Sequence, residues 1–249
     1  MKQVFTPIYK SIRKRREIAA FLFCSLYPLL ASAVSLFQTG LKSMAHGRRL
    51  SFLEYWSVNV QTQWQLAIPI LLLAYAVTTV FYTEIHSGIL FLYKDLEKKV
   101  IFKVKILSLI KILGIFTVLT FLASLLSYYT LMLHQSYISG HLFPENWSIV
   151  QMSLLTILSR MIIYVIVILL VSALSSHYNN SISVLAGLFF MLLANVAPHL
   201  PLGRYLFPTG YVGAGMNFTL SLILMCLISS IYIISAYTLG LKKFEQIEF

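Results

Sequence analysis

An all-α, polytopic membrane fold is predicted by three features of this 249-residue sequence. Apolar residues make up 59% of the chain, charged residues only 11%, and the mean hydropathy is +0.82; a water-soluble domain carries about 25% charge. Long apolar runs recur from one end to the other, each sufficient to cross a bilayer as a helix. The alternating pattern of a membrane barrel is missing. The net charge of +11 is no nucleic-acid footprint, because the basic residues gather beside the ends of apolar runs, as positive-inside orientation requires. Cys24 and Cys226 both fall inside apolar runs, which predicts packing as small apolar side chains, not a structural disulfide.

Residues 1–17 predict an amphipathic interfacial helix. Thr6 can cap it and Pro7 suits its first turn. Val4, Phe5, Ile8 and Ile12 share one face, while Lys10, Arg13, Lys14, Arg15 and Arg16 supply charge for lipid headgroups. A plain basic flank before the first span fits the same residues. A signal peptide ending near Ala31-Ser32-Ala33 fits less well, since Ile18–Phe37 is long enough to span.

Gln38–Trp64 reads as a polar outer loop with interfacial Trp56 and Trp64. A second span follows over about Gln65–Phe81, with Pro69 near its outer end. In the next stretch Ile85, Ile89, Leu92 and Leu96 recur every three to four residues. That spacing predicts a short amphipathic helix over 84–99, with His86, Lys94, Asp95, Glu97, Lys98 and Lys99 occupying much of the rest.

The third span is predicted over about Ile106–Leu131, with Lys111 snorkelling from its inner end, and His134–Trp147 as a second outer loop. Ser148–Leu174 forms the fourth span and carries Arg160 deep within it. A turn at Asn179-Asn180 leads to a short fifth span, Ile182–Val196. The stopper-rich stretch 197–215, with Pro198, Pro201, Gly203, Pro208, Gly210, Gly213 and Gly215, predicts a pair of short re-entrant helices on the outer side. Met216–Gly240 is the sixth span. Thirteen of the nineteen Lys and Arg fall on the inner side and four on the outer side, so both termini are expected in the cytoplasm.

Reactive chemistry is sparse. None of Glu17, Glu54, Glu84, Asp95, Glu97, Glu145, Glu245 or Glu248 falls at mid-membrane depth, where ion-coupled transporters hold carboxylates. The six histidines show no ligand-like spacing, and HExxH, GxSxG and Walker patterns are absent. No catalytic residue, metal or cofactor is expected, and the chain is not expected to hydrolyse nucleotide itself.

Six spans, a basic amphipathic N-terminal helix and Phe81-x-x-Glu84-x-x-x-Gly88 after the second span, followed by the basic stretch Lys94–Lys105, resemble an ABC transporter permease of the type-2 exporter class. The broken stretch Val196–Gly215 and the ending Gly240-Leu241-Lys242-Lys243-Phe244 are similar to that family as well. In style the chain resembles small Gram-positive permeases of bacteriocin, lantibiotic-immunity or cytolytic-peptide exporters. His86-Ser87 and Ile89-Leu90 depart from the family's usual neighbours.

The resemblance implies a single permease domain over 1–249 in the plasma membrane. Its expected partners are cytosolic ABC ATPase subunits, a second permease subunit and an amphipathic peptide cargo. Drugs or lipid-linked glycans are the alternative cargo, and a membrane sensor or scaffold without transport is the reading from another class. The resemblance further implies that the 84–99 helix couples to the ATPase through Glu84, Gly88, Ile89, Leu92, Tyr93 and Leu96; an ordinary surface turn with an acid at its start fits the same residues. Tyr75, Thr78, Thr79 and Asn195 can line a substrate path or simply pack between helices. Arg160 either meets an anionic group or bonds to a neighbouring span.

Overall fold

A computed structural model describes residues 2–35, 49–88, 96–213 and 215–247, and the regular structure among them is helical, with no strand. Six helices are long and apolar enough to cross a membrane: Arg16–Ser35, Ile68–His86, Lys98–Met132, Trp147–Ser175, Asn180–His199 and Phe218–Glu245. Six spans were expected, but several boundaries differ, and the differences have physical causes.

Helix α1, Lys2–Arg13, starts before Thr6 and carries Pro7 in its interior. Ile8 and Ile12, four residues apart on one face, are buried against the bundle. Arg15 is extended (φ −69°, ψ 142°) and makes a corner into α2, Arg16–Phe23. A 3₁₀ turn and α3, Tyr27–Ser35, complete the first span. The end of the bundle holding α1 is called the basal end here, and the opposite one the distal end.

The expected polar loop over Gln38–Trp64 is replaced in large part by a helix, α4, Phe52–Gln65. Its start is a capping box. The Ser51 hydroxyl accepts from the Glu54 amide (3.5 Å), and the Ser51 amide donates to Glu54 Oε2 (2.9 Å). The start is also pinned from outside. The Leu50 amide donates to the Tyr137 carbonyl at 2.8 Å and the Phe52 amide to the His141 carbonyl at 2.9 Å. Tyr128 donates its hydroxyl to the Leu50 carbonyl at 3.0 Å.

Helix α4 then runs into α5, Ile68–Thr78, in one direction along a single neighbour. That neighbour is α7, Trp147–Ser175. Leu53 and Val60 pack with Val150 and Ile157, Trp64 meets Tyr164, and Ala74 lies beside Val167 and Val171 across Gly187. So 52–86 is one span broken in its middle, not a loop followed by a span. A π-helical turn, Thr79–Thr83, and a last α-turn, Glu84–His86, end it at Gly88, whose φ is +71°. That left-handed glycine closes the helix, and residues 89–95 of the expected 84–99 helix lie outside the described residues. The described remnants, Glu84–His86 and Lys98 onward, belong to the adjoining spans.

Helix α6 starts at Lys98, eight residues before the expected Ile106, and continues to Ser127, with a π-turn at Tyr128–Met132. Asn146 caps α7 by accepting from the Ser148 amide at 3.0 Å. Helix α8, Asn180–Val196, rises back to the distal end, and α9, Phe218–Glu245, returns.

Between them the stretch 197–215 forms three 3₁₀ turns instead of a pair of re-entrant helices. Its stoppers explain this. Gly210 packs so tightly that a Cβ would fall 1.9 Å from the Arg204 carbonyl oxygen, and Arg204 Nε donates to the Gly210 carbonyl at 3.3 Å. Thr209 donates to the Ala194 carbonyl at 2.6 Å and folds the segment back onto α8.

The spans are unequal in burial. The α5 and α7 segments are each 61% buried and form the centre, whereas α9 is only 17% buried and lies at the rim. Close approach comes from glycine. A Cβ on Gly187 would meet Val171 Cγ2 at 2.8 Å, and one on Gly240 would meet Phe102 Cζ at 3.0 Å.

Candidate functional site: an ionic clamp beneath a broken span

The broken span carries two unusual features, one at its middle and one at its foot. At the middle, Ala67 adopts a left-handed conformation (φ 57°), the one non-glycine residue with positive φ among those described. The ladder stops there: the Ala67 amide donates to the Trp64 carbonyl at 3.1 Å, and the Ile68 amide to the Leu66 carbonyl at 2.7 Å. Pro69 then restarts a helix, since its missing donor costs nothing at a first turn. A left-handed alanine costs about 1–2 kcal/mol, so the surrounding packing must hold the break in place.

Arg160 of α7 grips the span six residues above that break, nearly two turns. Its Nε and Nη2 donate to Gln61 Oε1 at 3.0 and 2.7 Å, and its guanidinium lies 5.3 Å from the Trp64 ring. Gln63 donates to the Cys24 carbonyl at 3.0 Å, which ties the same turn to the first span. Arg160 is 7% exposed and is held by a side-chain amide and a ring, with no carboxylate in contact among the described residues. Of its two expected roles, the bond to a neighbouring span is the one observed.

At the foot, Glu84 is buried and bridges two cations. It accepts from Arg15 Nη2, in the α1–α2 corner, and from Lys105 Nζ of α6 at 2.7 Å. Both cations also serve the π-turn. Such a turn widens the helix and disturbs the i to i−4 ladder. Arg15 Nη1 donates to the Thr79 carbonyl at 2.7 Å, and Lys105 Nζ to the Val80 carbonyl at 2.9 Å. The rings of Phe81 and Phe244 sit 5.2 and 5.8 Å from Lys105 Nζ. Two cations meet one carboxylate, and the surplus charge is met by two carbonyl dipoles and two ring faces. The clamp thus joins α1–α2, the broken span and α6, with Phe244 of α9 against it.

These positions revise the expected site. Glu84, with its side chain 8% exposed, is an internal ion-pair partner and not part of a docking face. Lys105 is 1% exposed and is not a headgroup-facing flank. Gly88 ends the span and Leu96 is half-buried against the core, while Ile89, Leu92 and Tyr93 lie outside the described residues.

The five expected path residues do not converge. Thr78 and Thr79 donate to carbonyls of their own helix, at Tyr75 and Ala76. Tyr75 points outward and is 43% exposed. Asn195 is half-buried near the distal end of α8. Arg160 contacts Gln61, seventeen residues from Thr78 along the span, about 25 Å at helical rise.

Sequence reasoning missed α4, Arg15 and Lys105. Ser51-x-x-Glu54 is a capping-box signature that could have marked the start of α4. Arg15 and Lys105 had no such signal, because each stands in a basic run that looks like an ordinary flank. Comparison with protein families, characterised proteins and solved structures finds no match to this chain.

Proposed function

We propose that the chain is the transmembrane subunit of an ATP-driven ABC exporter, working with a second permease subunit and two separate ATPase subunits. The observation that carries this reading is the clamp. Glu84 and Lys105 lock together the chain that precedes Gly88 and the chain that follows Leu96, and the segment 87–97 joins the two in sequence. A load applied to it moves the foot of the broken span, the α1–α2 corner and the base of α6 as one body. The break at Ala67 is the first compliant point such a load meets within the bilayer. A push from an ATPase would therefore arrive beside Arg160 and Gln61 at mid-depth.

The ATPase contact is assigned to Gly88, Ile89, Leu92, Tyr93 and Leu96, with Glu84 transmitting the load from behind. An amphipathic antimicrobial or cytolytic peptide is the proposed cargo, and the plasma membrane, with both termini cytoplasmic, the proposed setting.

Co-expression with candidate ATPases, followed by co-purification and peptide-dependent ATP hydrolysis, tests the proposal. Leu92→Asp with Tyr93→Asp is expected to abolish co-purification while the permease itself still elutes as a single species. Unchanged co-purification by the double variant would remove the coupling role from this segment. A stable complex whose hydrolysis ignores every peptide would favour the sensor or scaffold reading.

A further inference from the structure

The cleft between α1 and α6 has a composition the exporter reading does not use. It encloses about 700 Å³ and is lined by Phe5, Tyr9, Lys10, Arg13 and Lys14 of the α1 side and Lys111 of α6. Four cations face it and, among the described residues, no carboxylate does. Lys111 is held in place: its Nζ sits 4.2 Å from the Tyr9 ring centre and 5.6 Å from that of Phe5, the two rings being stacked 5.8 Å apart.

Depth along α6 locates the cleft. Lys111 lies thirteen residues beyond Lys98, and twenty-two residues run from it to Met132. Those twenty-two rise about 32 Å, close to the ~30 Å of a hydrocarbon core. The cleft therefore sits where acyl chains give way to headgroups. On the distal side of Lys111, three and seven residues on, come Gly114 and Val118, followed by Leu122. A Cβ on Gly114 would meet nothing within 4 Å, and Val118 and Leu122 are 58% and 48% exposed. An exposed apolar strip of α6 thus leads away from the four cations, towards the bilayer interior.

We infer that this cleft is a discrete binding site for one anionic phospholipid. The headgroup phosphate lies among Lys10, Arg13, Lys14 and Lys111, and an acyl chain runs along Gly114, Val118 and Leu122. A lipid combines a negative head with a long apolar tail, which matches four cations followed along α6 by an exposed apolar strip. The inference stands independently of the exporter reading.

The full chain, purified in detergent, would be titrated with dioleoyl phosphatidylglycerol or dioleoyl phosphatidylcholine and bound lipid counted by native mass spectrometry. One phosphatidylglycerol is expected to be retained in preference to phosphatidylcholine. Lys111→Gln should weaken it about five-fold, and Lys14→Gln by a similar factor. Lys111→Arg should restore retention, and Lys99→Gln, outside the cleft, should leave it unchanged. Gly114→Leu should weaken both lipids by placing a side chain on the strip where the acyl chain lies. Equal retention of the two lipids, or no effect of Lys111→Gln, would overturn the site. Full displacement of phosphatidylglycerol by inorganic phosphate would also overturn it, because it would indicate a free-anion site without a tail.

Discussion

Glu84 shows how far a single position can differ from its surroundings in the sequence. It stands three residues after an apolar run and near several lysines, the setting of an exposed acid. Yet it is the one buried carboxylate among the described residues, and its two partners come from positions 69 residues earlier and 21 residues later. Removing one member of a buried ion cluster leaves the others uncompensated, at a cost of about 3–5 kcal/mol, whereas replacing the group by apolar residues of similar size is close to neutral. Glu84→Ala is therefore expected to destabilise the protein by about 3–5 kcal/mol. Lys105→Met combined with Glu84→Leu should recover part of that loss, Arg15 being 20% exposed and able to reach water. Thermal unfolding in detergent, followed by tryptophan fluorescence, reads both. A Glu84→Ala protein as stable as the parent would mean that the clamp is not formed.

At the scale of one element, the broken second span offers a test of its own geometry. Ala67 occupies a conformation that glycine adopts freely and β-branched residues resist. The relief of left-handed strain, about 1–2 kcal/mol, exceeds the entropic cost of an extra glycine, about 0.5–1 kcal/mol. Ala67→Gly should thus raise the unfolding temperature slightly, while Ala67→Val should lower it clearly. The opposite ranking would mean that the span is straight.

The sequence made some of this element legible. Pro69 was legible near the outer end of a span, and the unused signal was Ser51-x-x-Glu54, eighteen residues earlier. The joining of the two into one span was not legible, because Asn59, Gln61 and Gln63 lower the local hydropathy below that of a membrane helix. Those side chains are satisfied by the Tyr55 carbonyl, by Arg160 and by the Cys24 carbonyl, so their polarity is internal to the bundle. Hydropathy cannot register partners that are distant in sequence. The polar residues of α4 and the buried charge of Lys105 were misread for the same reason.

For the whole molecule, the number of spans and their up-and-down order were plain from apolar runs and stoppers, since the bilayer imposes a length that few other folds share. Packing order was less plain. Helix α9 is as apolar as the others, but it sits at the rim and holds on through small residues such as Ser221, Ser229 and Gly240. Gly240→Leu would drive a side chain into Phe102 and Ala173 and should destabilise by about 1–3 kcal/mol. The same substitution at Thr238, which is exposed on the same helix, should be neutral.

Orientation is a separate matter, argued from charge alone. With Cys24 and Cys226 replaced by alanine, Glu97→Cys should react with an impermeant maleimide only after the cells are opened, and His134→Cys should react in intact cells. The reverse pattern would invert the proposed sidedness.

The second span is three helical pieces in series, joined at Ala67 and at the π-turn. Each junction interrupts the regular screw of the backbone. The π-turn is braced by Arg15 and Lys105, which leaves Ala67 as the joint free to hinge. Movement of the foot would reach the Arg160–Gln61 grip only across that joint.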